Sequence, residues 1–133
     1  MTDAISAFFA AANAHDVDAL AACCTADVIA DEVAEPEPFV GADALKQSYR
    51  DVFEGYPDCV SEIIERQTEG TNIACQVRWR ATNTGTFRGV PPTGRPVDLR
   101  IAYFFHLRDG KIERITEYYD LAAILVQQGQ LEL

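Results

Sequence analysis

Residues 96–128 read PVDLRIAYFFHLRDGKIERITEYYDLAAILVQQ, and the rhythm of this stretch decides the fold. Leu99, Ile101, Tyr103 and Phe105 alternate with Asp98, Arg100, Ala102, Phe104 and His106. That period of two is a strand with one face toward a core. RDGK at 108–111 is the tight turn of a hairpin, and 111–119 is its second strand. Asp120 then precedes LAAIL, as an N-cap residue precedes a helix, which predicts a short final helix to about Gln127.

Upstream, residues 60–69 and 72–86 read as two more strands joined at GTN, 70–72. The N-terminal part has helical spacing instead. Thr2 or Asp3 can cap a first helix running to about Asn13, with Ile5, Phe8, Phe9 and Ala12 on its core side. Asp16 caps a second helix through about Cys24. DVIADEV, 27–33, is a strand with Val28, Ala30 and Glu32 on one face and Ile29, Asp31 and Val33 on the other. EPEPFVG, 35–41, is an irregular loop, and a third helix from Ala42 to about Phe53 stops at GYPD, 55–58. Helices followed by an antiparallel meander predict an α+β fold. The expected shape is a cone: three N-terminal helices packed on a strongly curved, mostly antiparallel sheet, with a short C-terminal helix. Residues 1–133 are expected to form one domain, and a cone encloses a cavity that suits a small apolar ligand.

Composition narrows the partners. The 133 residues carry 21 acids against 11 bases, a net charge of −10, which disfavours nucleic acid and anionic membranes. Cys23, Cys24, Cys59 and Cys75 form no CxxC and no zinc spacing, so reduced thiols are expected and no metal site. AISAFFAAA, 4–12, lacks the basic flank of a signal peptide, since the first basic residue is Lys46. No segment is long enough to span a bilayer, so a soluble, cytoplasmic protein is expected.

Strand parity sorts the candidate residues. The apolar sets should face the helices and the cavity, with Trp79 among them, leaving Arg78, Arg80 and Arg100 on the outer face beside Asp98, Glu62 and Glu113. On the last strand Ile115, Glu117 and Tyr119 share a face, opposite Ile112, Arg114, Thr116 and Tyr118. The first set suits the cavity, which makes Glu117 a carboxyl among apolar groups. Burial raises such a pKa toward the range of a general acid or base; an exposed strand acid is the alternative if the register slips by one residue. Glu32 ends the first strand, where strand ends ring a cone's mouth, and its plain reading is a surface acid. Tyr103 lies among inward apolar residues and its hydroxyl needs a partner. His15 and His106 read as structural. No Ser-His-Asp arrangement and no glycine-rich phosphate loop is present.

FRGVPPTGRPVDL at 87–99 and FHLRDGKIERITEYYDLAAILVQQ at 105–128, with YPD at 56–58, resemble the SnoaL-like polyketide cyclases of the nuclear-transport-factor-like superfamily. The resemblance covers nearly the whole chain. It implies the cone fold, a homodimer packed through the sheet, no cofactor, and acids and bases placed in the cavity. In the related limonene epoxide hydrolases the catalytic acid matches Glu117 of TEYYDL; Arg78 could match their arginine, while Arg80 stands where they carry an acid. In ketosteroid isomerases the general base matches Glu32 and the oxyanion-hole acid matches Tyr103, while Phe8 falls where they carry a tyrosine. SnoaL-like cyclases keep an acid near the end of the last strand, which leaves Asp120 open beside Glu117.

The expected function is a cofactor-independent acid–base enzyme of cyclase, isomerase or hydratase type, acting on a small, largely apolar cyclic or carbonyl-bearing molecule. Glu117, Glu32, Asp120 and Tyr103 are its candidate catalytic residues. Trp79, Phe105, Tyr119, Ile101 and Leu99 are expected to shape the pocket. The alternative is a non-catalytic ligand-binding or dimerisation domain, whose pocket need hold no carboxyl.

Overall fold

In a computed structural model describing residues 3–133, the elements run α1 (Ala4–Asn13), α2 (Val17–Ala22), β1 (Cys24–Glu32), β2 (Phe39–Val40), α3 (Ala42–Gly55), β3 (Val60–Glu69), β4 (Asn72–Thr82), β5 (Pro96–Arg108), β6 (Lys111–Tyr119) and α4 (Leu121–Gln127). Six strands form one sheet in the order β2-β1-β6-β5-β4-β3. Every pairing is antiparallel except β1 with β6. The α+β expectation, with a mostly antiparallel sheet, three helices ahead of the meander and a short last helix, holds. Three aspartates start helices by accepting from backbone N–H groups: Asp3 from Ser6, Asp16 from Ala19, and Asp120 from Ala123. Thr2, the other candidate for the first cap, lies outside the described residues.

The strand boundaries depart from the sequence reading in places where alternation carries no signal. β1 begins at Cys24, which had been assigned to the second helix. The loop 35–41 contains β2, whose two residues are too few to show a period. β4 ends at Thr82 instead of 86, because Asn83 turns the chain away from the sheet. The Asn83 amide donates to the carbonyls of Gly55 and Gly85 and its oxygen accepts from the backbone and hydroxyl of Thr93. Ile112 was expected outward and is fully buried. Leu107 pairs with Ile112 while His106 pairs with Arg114, so Glu113 is an extra residue that reverses parity between Ile112 and Arg114.

The core fills the closed end. Phe8 of α1 meets Phe105 edge-on at 5.6 Å and Tyr49 of α3 at 5.8 Å; Phe9 meets Tyr103 at 5.2 Å. Phe8 is wholly buried and Phe9 and Phe105 nearly so. Burying each such ring contributes roughly 1.5–3 kcal/mol. On the outer face Arg78 grips Asp98 at 2.6 and 3.0 Å, as expected. Glu113 pairs with His106 and Arg108 and not with the row of arginines. No helix among the described residues is long and apolar enough to cross a membrane.

The C-terminal end of α3 leaves no room for a side chain at Gly85, whose added Cβ would stand 1.9 Å from the carbonyl oxygen of Glu54. Gly85→Ala should therefore destabilise the chain at or above the upper end of ordinary overpacking, about 3 kcal/mol, as measured by urea unfolding. A loss below about 1 kcal/mol would mean that the loop yields and does not brace α3.

Candidate active site

Three polar residues lie side by side across three neighbouring strands. Glu32 on β1 is the Cα partner of Glu117 on β6, and Glu117 is the partner of Tyr103 on β5. Directly paired residues project to the same face of a sheet, so the three side chains form a short row on the inner face. The sheet and helices close round a cavity of about 270 Å³ bordered by all three. Trp79, Tyr119, Ile101 and Leu99 border it as well. Phe105 does not; it lies behind Tyr103, stacked on it at 5.7 Å. Asp120 is outside the cavity wall, exposed, with its carboxylate at the start of α4.

The electrostatics of the row follow from its burial by protein. Glu117 touches cavity space but is otherwise enclosed by protein, and burial pushes its carboxyl up to about 8. The negative charge of Glu32 adds to the rise, while the Tyr103 hydroxyl, within hydrogen-bonding reach, and the positive charge of Arg88 oppose it. Glu32 is raised to about 6, again chiefly by burial; Arg88 opposes this, and Glu35 and Asp51 reinforce it. Near neutral pH the row therefore holds one protonated and one ionised carboxyl, a proton donor beside an acceptor. The Tyr103 and Tyr49 hydroxyls lie near each other, and burial raises both well above the usual phenol range. They stay neutral and can only donate or accept hydrogen bonds.

Arg88, Tyr49, Glu35 and Asp51, which surround the Glu32 end of the row, were not singled out from the sequence. Arg88, on the loop between β4 and β5, places Nη1 against Glu35 and 3.9 Å from Glu32, and Nε 3.3 Å from Asp51. Its guanidinium lies over the rings of Phe87 at 4.7 Å and Phe39 at 5.3 Å. A loop residue has no parity to read, so Arg88 stood only as a letter in FRGVPP. Tyr49 did have a signal: Leu45, Tyr49 and Phe53 recur every fourth residue on α3, and that stripe faces inward. Glu35 sits in the turn after β1, and Asp51 on a partly buried side of α3. Among the described residues no group of three His, Cys, Asp or Glu could hold a metal ion.

The chain has known relatives. The family model of SnoaL-like polyketide cyclases matches residues 2–128. The chain belongs to the SnoaL-like polyketide cyclase family. Solved structures agree at the level of the fold. A SnoaL-like protein from Jannaschia sp. CCS1 superposes with a TM-score of 0.87 at 22% identity, over 97% of this chain and 91% of that one. IdmH from Streptomyces antibioticus gives 0.80 at 23%, over 95% and 96%. A protein with a ketosteroid isomerase-like fold from Catenulispora acidiphila gives 0.81 at 18%, over 96% and 93%. Among curated proteins none matches. In this SnoaL-like chain the fold brings the ends of β1 and β6 and the middle of β5 to one pocket.

The row makes stability depend on pH. Glu32 and Glu117 hold protons more tightly folded than unfolded, so their contribution is greatest at acid pH and is lost as pH rises from about 5 to about 8. Each group can remove up to about 1.4 kcal/mol per pH unit within its own window. The acids held low by hydrogen bonds and arginines, Asp3, Asp58 and Asp98, act in the opposite direction only below about pH 4. Glu117→Gln should flatten the fall above about pH 6 and melt higher than the parent at about pH 8. Thermal melts across that range check this, and a parent curve that rises toward pH 8 would contradict it.

Proposed function

We propose that this SnoaL-like chain is a cofactor-independent acid–base enzyme of the cyclase, isomerase or hydratase type. Its substrate is a small, largely apolar molecule with a carbonyl group or ring. The observation that carries the reading is the pair of neighbouring carboxyls, Glu32 and Glu117, in one cavity walled by aromatic and aliphatic side chains. A non-catalytic binding domain has no need to keep two costly desolvated carboxyls beside its ligand.

The chemistry follows from position. Glu32, ionised, removes a proton from carbon next to a carbonyl, and the electron pair moves onto the carbonyl oxygen. The Tyr103 hydroxyl and the protonated Glu117 donate to that oxygen as its charge develops. For ring closure the enolate carbon attacks a second carbonyl carbon of the same molecule, and Glu117 delivers its proton to the new alkoxide. After ring closure the proton that Glu32 took passes across the row to Glu117, so the enzyme ends as it began. For isomerisation Glu32 itself returns the proton to another carbon, and Glu117, which only donates a hydrogen bond, keeps its own. Trp79, Tyr119, Ile101 and Leu99 shape the pocket, and Phe105 backs Tyr103. Asp120 serves by fixing the start of α4, whose Ile124 and Leu125 border the cavity.

Solvent deuterium uptake by 2-tetralone, an enolisable bicyclic ketone, tests the reading without knowledge of the natural substrate. The parent should speed the exchange. Glu32→Gln and Glu117→Gln should each reduce it by about 10²-fold or more, as expected for loss of a general acid or base. Asp120→Ala should keep most of the exchange while costing about 1 kcal/mol of stability through the lost cap. Exchange that survives both glutamine variants would reject the assignment.

We further propose a cytoplasmic homodimer through the outer sheet face. Phe104 and Tyr118 meet edge-on there at 5.9 Å and are each about half exposed, a sizeable aromatic patch without cover in one chain. The four unpaired thiols suit a reducing compartment. Sedimentation at tens of micromolar should give a dimer, reduced to monomer by Phe104→Glu, if the interface reaches standard size. A monomer at that concentration would refute it.

A further inference from the structure

Two paired carboxyls in one cavity could divide the roles of donor and acceptor either way, since both are glutamates on paired strand positions. Burial raises both, Glu117 the more; a second difference lies outside the sheet. The loop 83–95 carries one cation to the Glu32 end of the row. Asn83 fastens the base of this loop to Gly55, Gly85 and Thr93, and Phe87 and Val90 exchange backbone hydrogen bonds of 2.9 and 3.0 Å across its tip. Arg88 sits within that tip at φ +47°, a left-handed conformation that non-glycine residues seldom adopt. Its side chain is mostly enclosed, and Nη2 is buried without a hydrogen-bond partner. A strained backbone and an unsatisfied guanidinium N–H are both unfavourable, so their presence together points to a function.

We propose that Arg88 is a positioning residue that assigns the roles within the carboxyl pair, keeping Glu32 the proton acceptor and leaving Glu117 the donor. The inference rests on the acid–base reading above. The geometry is one-sided: Nη1 is 3.9 Å from Glu32, and the ion pairs of Arg88 within 4.0 Å run to Glu32, Glu35 and Asp51 but not to Glu117. Glu32 is also faced by Glu35 from the turn after β1, Asp51 and Tyr49 from α3, Glu117 and Tyr119 from β6, and Tyr103 from β5. Arg88 is the only cation in that set. Glu35 and Asp51 partly neutralise it while holding its fork in place, and the rings of Phe87 and Phe39 fix its plane. Without the arginine, Glu32 would face only acids and neutral phenols, and its ionised form would lose its one attractive partner.

The test is a carboxyl titration by NMR of the full chain, with Glu32 and Glu117 assigned, in the parent, Arg88→Met and Arg88→Lys. In the parent Glu32 should titrate below Glu117. In Arg88→Met, which keeps a linear apolar chain between the two rings, the Glu32 midpoint should rise by at least about one pH unit, so that the two midpoints converge. Arg88→Lys should keep them apart. The acid limb of the 2-tetralone exchange profile should move with the Glu32 midpoint. If Arg88→Met fails to fold, Arg88→Gln, which keeps polar reach to Glu35 and Asp51 without the charge, decides: the Glu32 midpoint should again rise. An unmoved Glu32 in the folded neutral variant overturns the proposal. The titrations need no turnover, so a parent that fails to exchange 2-tetralone would count against the enzymatic reading alone.

Discussion

The parallel pairing of β1 with β6 is the constraint on which the site depends. It is the one parallel junction in a sheet otherwise built of antiparallel pairs, and it sets Glu32 opposite Glu117. Paired side chains on one face of a sheet lie close together, so two carboxyls are forced to share a largely protein-walled pocket. Desolvation then makes it unfavourable to ionise either, and the first charge to form makes the second harder still. The difference in protonation between the two glutamates is a property of the pair and its surroundings, since neither residue has it alone.

Holding such a row demands a rigid wall on one side and an open pocket on the other. The wall is the set of edge-to-face rings formed by Phe8, Phe9, Tyr49, Tyr103 and Phe105 at the closed end. Edge-on packing locks ring orientation as well as burying area, and so fixes where the Tyr103 hydroxyl points. The pocket stays open because α1, α3 and α4 contribute side chains to its rim without filling it. The loop from β4 to β5 completes the enclosure and brings Arg88, whose charge is the main counterweight to the acids around Glu32. The site thus takes parts from each segment of the chain: α1 and α3 from the helical half, β1 from the parallel junction, β5 and β6 from the meander, and one loop.

Much of this was legible in residues alone. The period of two in 96–107 and 111–119, the turn RDGK, and the aspartates before helical runs all act over a few neighbouring positions, so local chemistry determined strands, hairpin and caps. The same parity put Glu117 and Tyr103 on an inward face and Asp120 at a helix start, and Val28, Ala30 and Glu32 on one side of β1. What only the tertiary structure decided involves positions far apart in the chain. A bulge at Glu113, which local alternation cannot register, buried Ile112. The closeness of Glu32 to Glu117 needed a parallel pairing between residues 85 positions apart in the sequence, and no short-range pattern encodes it. Arg88 lay in a loop without periodicity, and its partners Glu35 and Asp51 come from two other segments. Inward direction can be read from a period; the identity of the neighbour across the pocket is set by strand register and loop closure, and it is that neighbour which determines whether a carboxyl keeps its proton.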